Sequence, residues 1–235
     1  MSTSDVLTGC SVLSYSQRTS LLIKFIHFFL YNTEQFPDYK LLSTKDTGST
    51  AVGSSDVSIK KMRSTLDSLF LLENDLECLS SSSIEQFLLI LGQNIHKPSR
   101  IVLLSFRNCC ADHIPREEKE LMEEDCKGFF RNLMQNPHFD RIFSSVPPTR
   151  LHVFFRSSVP INCGNFIPKP DFNPLIRNCP IHMLNVISKE DTMEISLEEP
   201  TTDESNGLSD HLEKLFRSDG GMIWYSCSKV VTGCC

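Results

Sequence analysis

Seven apolar residues, Leu21, Leu22, Phe25, Ile26, Phe28, Phe29 and Leu30, surround almost the whole circumference of a helix drawn from Arg18 to Gln35. That distribution suits a helix sunk in the middle of a domain, and Pro37 ends it. Residues 43–58 hold Gly, Ser, Thr and Asp without apolar spacing and are expected to form a loop. A second helix is predicted over Val57 to Leu79, with Met62, Leu66, Leu69, Phe70, Leu76 and Leu79 near one stripe and charged residues opposite. It should lie across a sheet.

The serine run 80–83 breaks that pattern, and two short apolar stretches follow, Phe87 to Leu91 and Ile101 to Phe106, parted by Gly92-Gln93-Asn94 and Pro98. These read as a hairpin. A third helix is predicted from Pro115 to Gln135: proline suits the first turn, Glu117, Glu118 and Glu120 complement the positive end of the helix dipole, and Pro137 lies just beyond. Its bulky pairs at 121/122, 129/130 and 133/134 make the apolar stripe wider than one packing seam needs, so part of it is expected to face a partner. Strands are predicted at Leu151 to Phe155, Ile181 to Ile187, Met193 to Leu197 and Met222 to Tyr225. Helices followed by a run of strands suggest an α+β fold, three main helices packed on a mostly antiparallel sheet. Residues 1–16, Ser/Thr-rich and without periodicity, are expected to be a flexible lead-in to a single domain at 17–235, and 198–209 a second mobile loop.

The 235 residues suffice for one domain with a real core; 40% hydrophobic and 22% charged residues are those of a globular protein. A net charge of -6 with no basic stripe argues against a nucleic-acid partner. The run Leu21 to Leu30 is interrupted by Lys24 and His27 and is about half the length a bilayer span requires, so neither a membrane segment nor a signal is expected there. The ten cysteines are scattered, with adjacent pairs at 109/110 and 234/235, and read as thiols in a reducing compartment.

Candidate chemistry is thin. Cys109-Cys110-Ala111-Asp112-His113 offers soft ligands in a short span, but a structural zinc site needs four and no second spaced pair exists, so no metal is expected. No glycine loop carries a phosphate-binding pattern, and the seven histidines fall in no recognisable catalytic frame, so neither a cofactor nor an enzyme is expected. The alternative is a thiol enzyme using Cys109, Cys110 or Cys163. Cys163 and Cys179 flank a proline loop, without a bridge being expected between them. The terminal Cys234-Cys235 has the form of a prenylation signal that ordinarily belongs to a GTPase, and is read as a strand terminus.

The segment Cys163-Gly164-Asn165-Phe166-Ile167-Pro168-Lys169-Pro170-Asp171-Phe172 stands apart. Its prolines fix φ and push Ile167 and Lys169 toward extended backbone, so the strip is stiff and loses little entropy when another protein grips it. The opposing reading is a solvated loop with Phe166 and Phe172 tucked into the core.

Taken with Phe29-Leu30-Tyr31-Asn32-Thr33-Glu34-Gln35-Phe36-Pro37, Phe87 to Asn94, Phe129-Phe130-Arg131, Pro147-Pro148 and Ile223-Trp224-Tyr225, this strip resembles the HORMA family over residues 17–235. Within that family the order and spacing are similar to the comet proteins. The resemblance implies a HORMA-like fold with a C-terminal safety-belt-like region, and an adaptor without chemistry of its own. Such an adaptor binds the closed conformer of the Mad-two checkpoint protein and presents it to a Pch-two-type AAA+ ATPase, silencing the spindle assembly checkpoint. It also implies residence in nucleus and cytoplasm, with spindle and kinetochore association in mitosis, and no membrane partner. By the same resemblance Phe130 docks on the checkpoint partner with Asn32, Phe129, Arg131, Leu133 and Met134 around it, and Pro168, Lys169 and Phe166 engage the ATPase. Asn32 stands where the family uses glutamine, and Pro170 where it is usually apolar. A HORMA protein that itself captures peptide motifs under a safety belt is the alternative within the family.

Overall fold

The computed structural model describes residues 2–7, 13–37, 57–106, 123–170, 172, 179–187 and 222–234. Outside them lie Cys109 to His113, the strand expected at Met193 to Leu197, the loop expected at 198–209, most of that at 43–58, and the start of the third predicted helix at Pro115.

Helix α1 runs from Tyr15 to Asn32. It begins three residues before the apolar pattern does, because Ser14 and Gln17 form a capping box: the Ser14 hydroxyl accepts from the Gln17 backbone N–H, and the Gln17 side-chain Oε1 accepts from the Ser14 backbone N–H. Leu21, Leu22, Phe25, Ile26, Phe29 and Leu30 are fully buried, as the all-round apolar pattern requires. The helix stops short of the expected Gln35. Thr33 caps the Phe29 carbonyl with both its amide and its hydroxyl, and Glu34 turns left-handed at φ 56.

Helix α2, Val57–Glu77, buries Thr65, Leu69, Leu72 and Leu76. Phe70, placed on the inner stripe by the sequence pattern, is exposed, and Leu72 takes the inward position instead. His27 Nε2 and Glu73 Oε1 meet at 2.5 Å, tying α1 to α2. The hairpin is longer than its apolar cores: β2 spans Ile84–Asn94 and β3 Lys97–Ser105, with the Asn94 Oδ1 accepting from the amides of His96 and Lys97 at the turn. Gly92 allows this close approach; a Cβ there would stand 2.5 Å from the Lys97 carbonyl oxygen. Helix α3, Glu123–Met134, is followed by a short unexpected turn of helix, α4, Phe139–Phe143.

The remaining strands are β4 Arg150–Ser157, β5 Phe166–Lys169, β6 Ile181–Ile187, β7 Ile223–Cys227 and β8 Val231–Thr232, with β1 at Ser2–Leu7. Within the lead-in at 1–16, Ser2–Leu7 pairs in parallel with β6, through a backbone ladder that needs no apolar periodicity in the added strand. Among the described residues the sheet has eight strands, in the order β1-β6-β3-β2-β4-β7-β5, and β8 continues along β4 beyond β7. Pairings with β6 are parallel and all the others antiparallel, which makes a mixed, mainly antiparallel sheet in an α+β architecture.

Strand β2 is buried on both faces. Phe87, Leu89 and Leu91 join the helices in the larger core, and Leu88 and Ile90 join Ile101, Leu103, Phe154, Ile181 and Trp224 in a second cluster on the opposite face. Each such side chain contributes roughly 1.5–3 kcal/mol by leaving water. Among the described residues no helix is long and apolar enough to cross a membrane.

Candidate interaction surfaces

Two surfaces hold the residues singled out in the sequence. On α3, Cys126, Phe129 and Leu133 recur at helical spacing and point inward; Phe129 is 1% and Leu133 0% exposed. Phe129 and Leu133, expected at the partner surface, thus pack into the core beside Cys126, with Phe129 edge-on to Phe25. Phe130 is half-buried, its ring 4.8 Å from that of Phe28 on α1. One turn beyond Phe28, the Asn32 side chain donates back to the Phe28 carbonyl at 2.7 Å, so its amide nitrogen is engaged within α1. Arg131 and Met134 are exposed, Met134 by 54%, and Tyr31 is exposed on α1. Phe28 thus touches Phe130 through its ring and Asn32 through its backbone carbonyl, and Arg131 and Met134 are exposed on α3.

The second surface is β5, an edge strand that the proline-rich composition did not suggest. Phe166 is buried 5.0 Å from Phe155, edge to face, on the helix side of the sheet. Phe172 stacks on Phe154 at 4.4 Å, on the other side. Because Phe154 and Phe155 are consecutive in β4, their side chains lie on opposite faces. The strip between the two phenylalanines therefore wraps the rim of the sheet, anchored on both faces. Phe166, expected among the ATPase-engaging residues, is thus buried as an anchor of the strip. Ile167, Pro168, Lys169 and Pro170 are exposed.

Proline fits here for a reason visible in the ladder. The Ser228 amide donates to the Asn165 carbonyl at 3.0 Å, in the same register that pairs Ile167 with Ser226 and Lys169 with Trp224. Hydrogen-bonded pairs alternate, so Pro168, opposite Tyr225, has its nitrogen turned away from β7 and costs that ladder nothing. At its start the strip is fixed by Asn165, whose side chain donates to Asp75 Oδ1 of α2 at 2.5 Å.

A further group went unnoticed in the sequence. Asn185, Ser105, Gln86, Arg156, Trp224 and Lys169 are register partners in turn, forming one row across six strands, polar at every position but Trp224, that ends at the rim. Gln86 is fully buried and Arg156 1% exposed. Neither side-chain amide atom of Gln86 has a hydrogen-bond partner among the described residues. The signal was a polar residue in phase within each apolar strand, but only the register shows that the positions coincide.

Burial displaces several titratable groups. His182, nearly inaccessible on β6, is held down to about 4 by desolvation, with Arg100 adding to the effect. Burial and the nearby Asp75 push the Cys227 thiol far up. Burial and Cys163 also raise the Cys78 thiol. Lys127 holds Glu123 below its usual value through an i,i+4 bond of 2.8 Å. Among the described residues no three His, Cys, Asp or Glu side chains gather as metal ligands. No protein-family model matches the chain, and no curated protein matches it.

Proposed function

We propose that the chain is a HORMA-like adaptor of the comet type, without chemistry of its own, carrying a checkpoint partner on the α3 face and meeting an AAA+ ATPase at the β5 rim. The observation that carries this reading is the exposed Pro168-Lys169 pair on an edge strand whose two ends are anchored by buried aromatics. Such an element presents its side chains in one conformation before any partner arrives, which lowers the ordering cost of binding. The element order supports the same reading: buried central helix, second helix, hairpin, third helix, then strands, with the C-terminal β7 and β8 laid along β4 in the manner of a safety belt. Half-buried Phe130 beside exposed Arg131 and Met134 supplies an aromatic, arginine and methionine patch, the residue types enriched at protein interfaces.

Co-purification of the full chain with the closed Mad-two protein and with the Pch-two-type ATPase tests it. Arg131→Ala and Met134→Ala, alongside Phe130→Ala, are expected to lose the checkpoint partner, and Lys169→Ala to retain that partner while losing ATPase-driven remodelling. Normal remodelling by the Lys169 variant removes the rim assignment. Retention of short linear peptides in place of the closed checkpoint protein replaces the adaptor with a peptide-capturing HORMA protein.

A further inference from the structure

We infer that the outer face of α2 is a self-association surface, on which a second copy of this chain packs antiparallel about a two-fold axis at Phe70. Helix α2 turns Thr65, Leu69, Leu72 and Leu76 into the core. On its other side Ile59, Arg63, Asp67, Phe70, Asn74 and Glu77 recur at intervals of three and four residues, and all are exposed. That spacing draws one stripe along the helix, the geometry through which two helices pack at a shallow crossing angle. Phe70 stands in the stripe 47% exposed, with Leu71 beside it at 46%. Covering such an apolar pair removes it from water, which favours association.

Charge selects the occupant. The first half of α2 is basic at its surface, with Lys60, Lys61 and Arg63 exposed, whereas its last turn exposes the acid Glu77. A parallel neighbour of the same sequence would set like charges against like. An antiparallel copy sets each end on its complement. With Phe70 on the axis, Arg63 and Glu77 lie equally far from it along the helix, on either side. Arg63 of one copy therefore comes opposite Glu77 of the other, and the two-fold operation makes that pair twice. Asp67 comes opposite the Asn74 region, whose side-chain amide donates to a carboxylate. At the centre Phe70 meets Phe70 and Leu71 of the second copy.

The stripe uses none of the residues assigned to the α3 face or to the β5 rim. Helix α1 meets α2 through His27 and Glu73, and α3 through Phe28 and Phe130. A pair joined through α2 accordingly carries each of those surfaces twice. One helix face from each copy is a small interface, so the association is expected in the micromolar range, and its exposed ion pairs make it sensitive to salt.

Sedimentation equilibrium of the full chain over a concentration series, at low and at physiological salt, tests this. The expected result is a weight-average mass that rises from one chain toward two, with a dissociation constant several-fold weaker at the higher salt. Phe70→Asp is expected to hold the chain monomeric. Arg63→Glu and Glu77→Arg, each checked for an unchanged melt, set like charges opposite one another twice and are expected to weaken the pair by about tenfold. Mixed in equal amounts, these two variants should form a heterodimer, because each supplies the charges that the other lacks. A chain that stays monomeric throughout the series, leaving the stripe to a helix of some other protein, overturns the inference. So does a dimer that tolerates Phe70→Asp, or a mixture of the two charge variants that stays apart.

Discussion

The Gln35 side chain accepts a hydrogen bond from the Thr149 amide at 2.8 Å while its nitrogen donates to the Val146 carbonyl at 2.7 Å, so one buried amide joins the exit of α1 to the segment entering β4. The Gln35 backbone carbonyl also accepts from the Cys234 amide, and Gly233 donates to Thr149. Three distant parts of the chain close on a single residue. Gln35→Leu strands the Thr149 donor and the Val146 acceptor without partners, and is expected to lower stability by about 2–3 kcal/mol in urea denaturation. At Gly233 a Cβ would stand 2.5 Å from Gln35 Oε1, which the surrounding bonds hold in place. Gly233→Ala is expected to cost about 1–3 kcal/mol. Because both changes act on the same clasp, the double variant should fall short of the sum by more than about 0.5 kcal/mol; strict additivity would show that the clasp does not act as a unit.

On α3, neighbouring residues should separate cleanly in thermal or chemical melts. Leu133→Ala opens a cavity beneath the helix and is expected to cost about 2–5 kcal/mol, whereas Met134→Ala should stay within about 0.5 kcal/mol. Phe130→Ala falls between, roughly 1–3 kcal/mol, since it forfeits the contact with Phe28 but not a fully enclosed site. A Met134 variant as unstable as the Leu133 one would place its side chain inside. Binding measurements on Phe130→Ala accordingly belong at temperatures where the variant is fully folded, beside Arg131→Ala as the solvent-facing control.

In the row across the sheet, Gln86 is enclosed and neither amide atom is hydrogen-bonded among the described residues. Gln86→Leu removes a polar group from a site where it has no compensating bond, and is expected to leave stability unchanged or raise it by about 1 kcal/mol. A loss of more than about 2 kcal/mol would show the amide to be engaged in the folded protein.

Stability should also fall in mild acid. The His182 imidazole titrates near 6.5 when unfolded but is held to about 4 in the fold by burial and Arg100. Above 6.5 it is neutral in both states and contributes nothing to the pH dependence. As pH drops from 6.5 toward 4 the unfolded chain takes up a proton that the folded chain refuses, and stability declines by on the order of 1 kcal/mol per pH unit. His182→Gln should flatten that limb of the urea midpoint against pH, and an unchanged slope would assign the acid sensitivity to other groups.

The buried helix, the hairpin and the strand at Ile181–Ile187 were legible because apolar periodicity reports burial directly. The start of α1 was also written locally, in Ser14 and Gln17, but lies before the first apolar residue of the pattern. What periodicity could not report was the role of main-chain pairing. Ser2–Leu7 carries no apolar alternation and still adds to β6, and the Pro168 strip pairs with β7 only because the register turns its nitrogen outward. In the candidate surfaces, the inward phase of Phe129 and Leu133 and the core anchoring of Phe166 depended on neighbours distant in sequence. The Gln35 clasp and the polar row are likewise products of tertiary register.

The phase of β5 also fixes what its open side offers a neighbouring molecule. Along that side the Phe166 N–H is already taken by the Cys163 carbonyl, and Pro168 and Pro170, in the same phase, have none to give. The rim is therefore a line of acceptors without donors. An incoming β-strand, which must both give and receive hydrogen bonds, finds half of its ladder missing, so the sheet resists growth into end-to-end polymers at this side. A molecule that brings donors of its own, such as arginine, lysine or amide side chains, meets no such penalty.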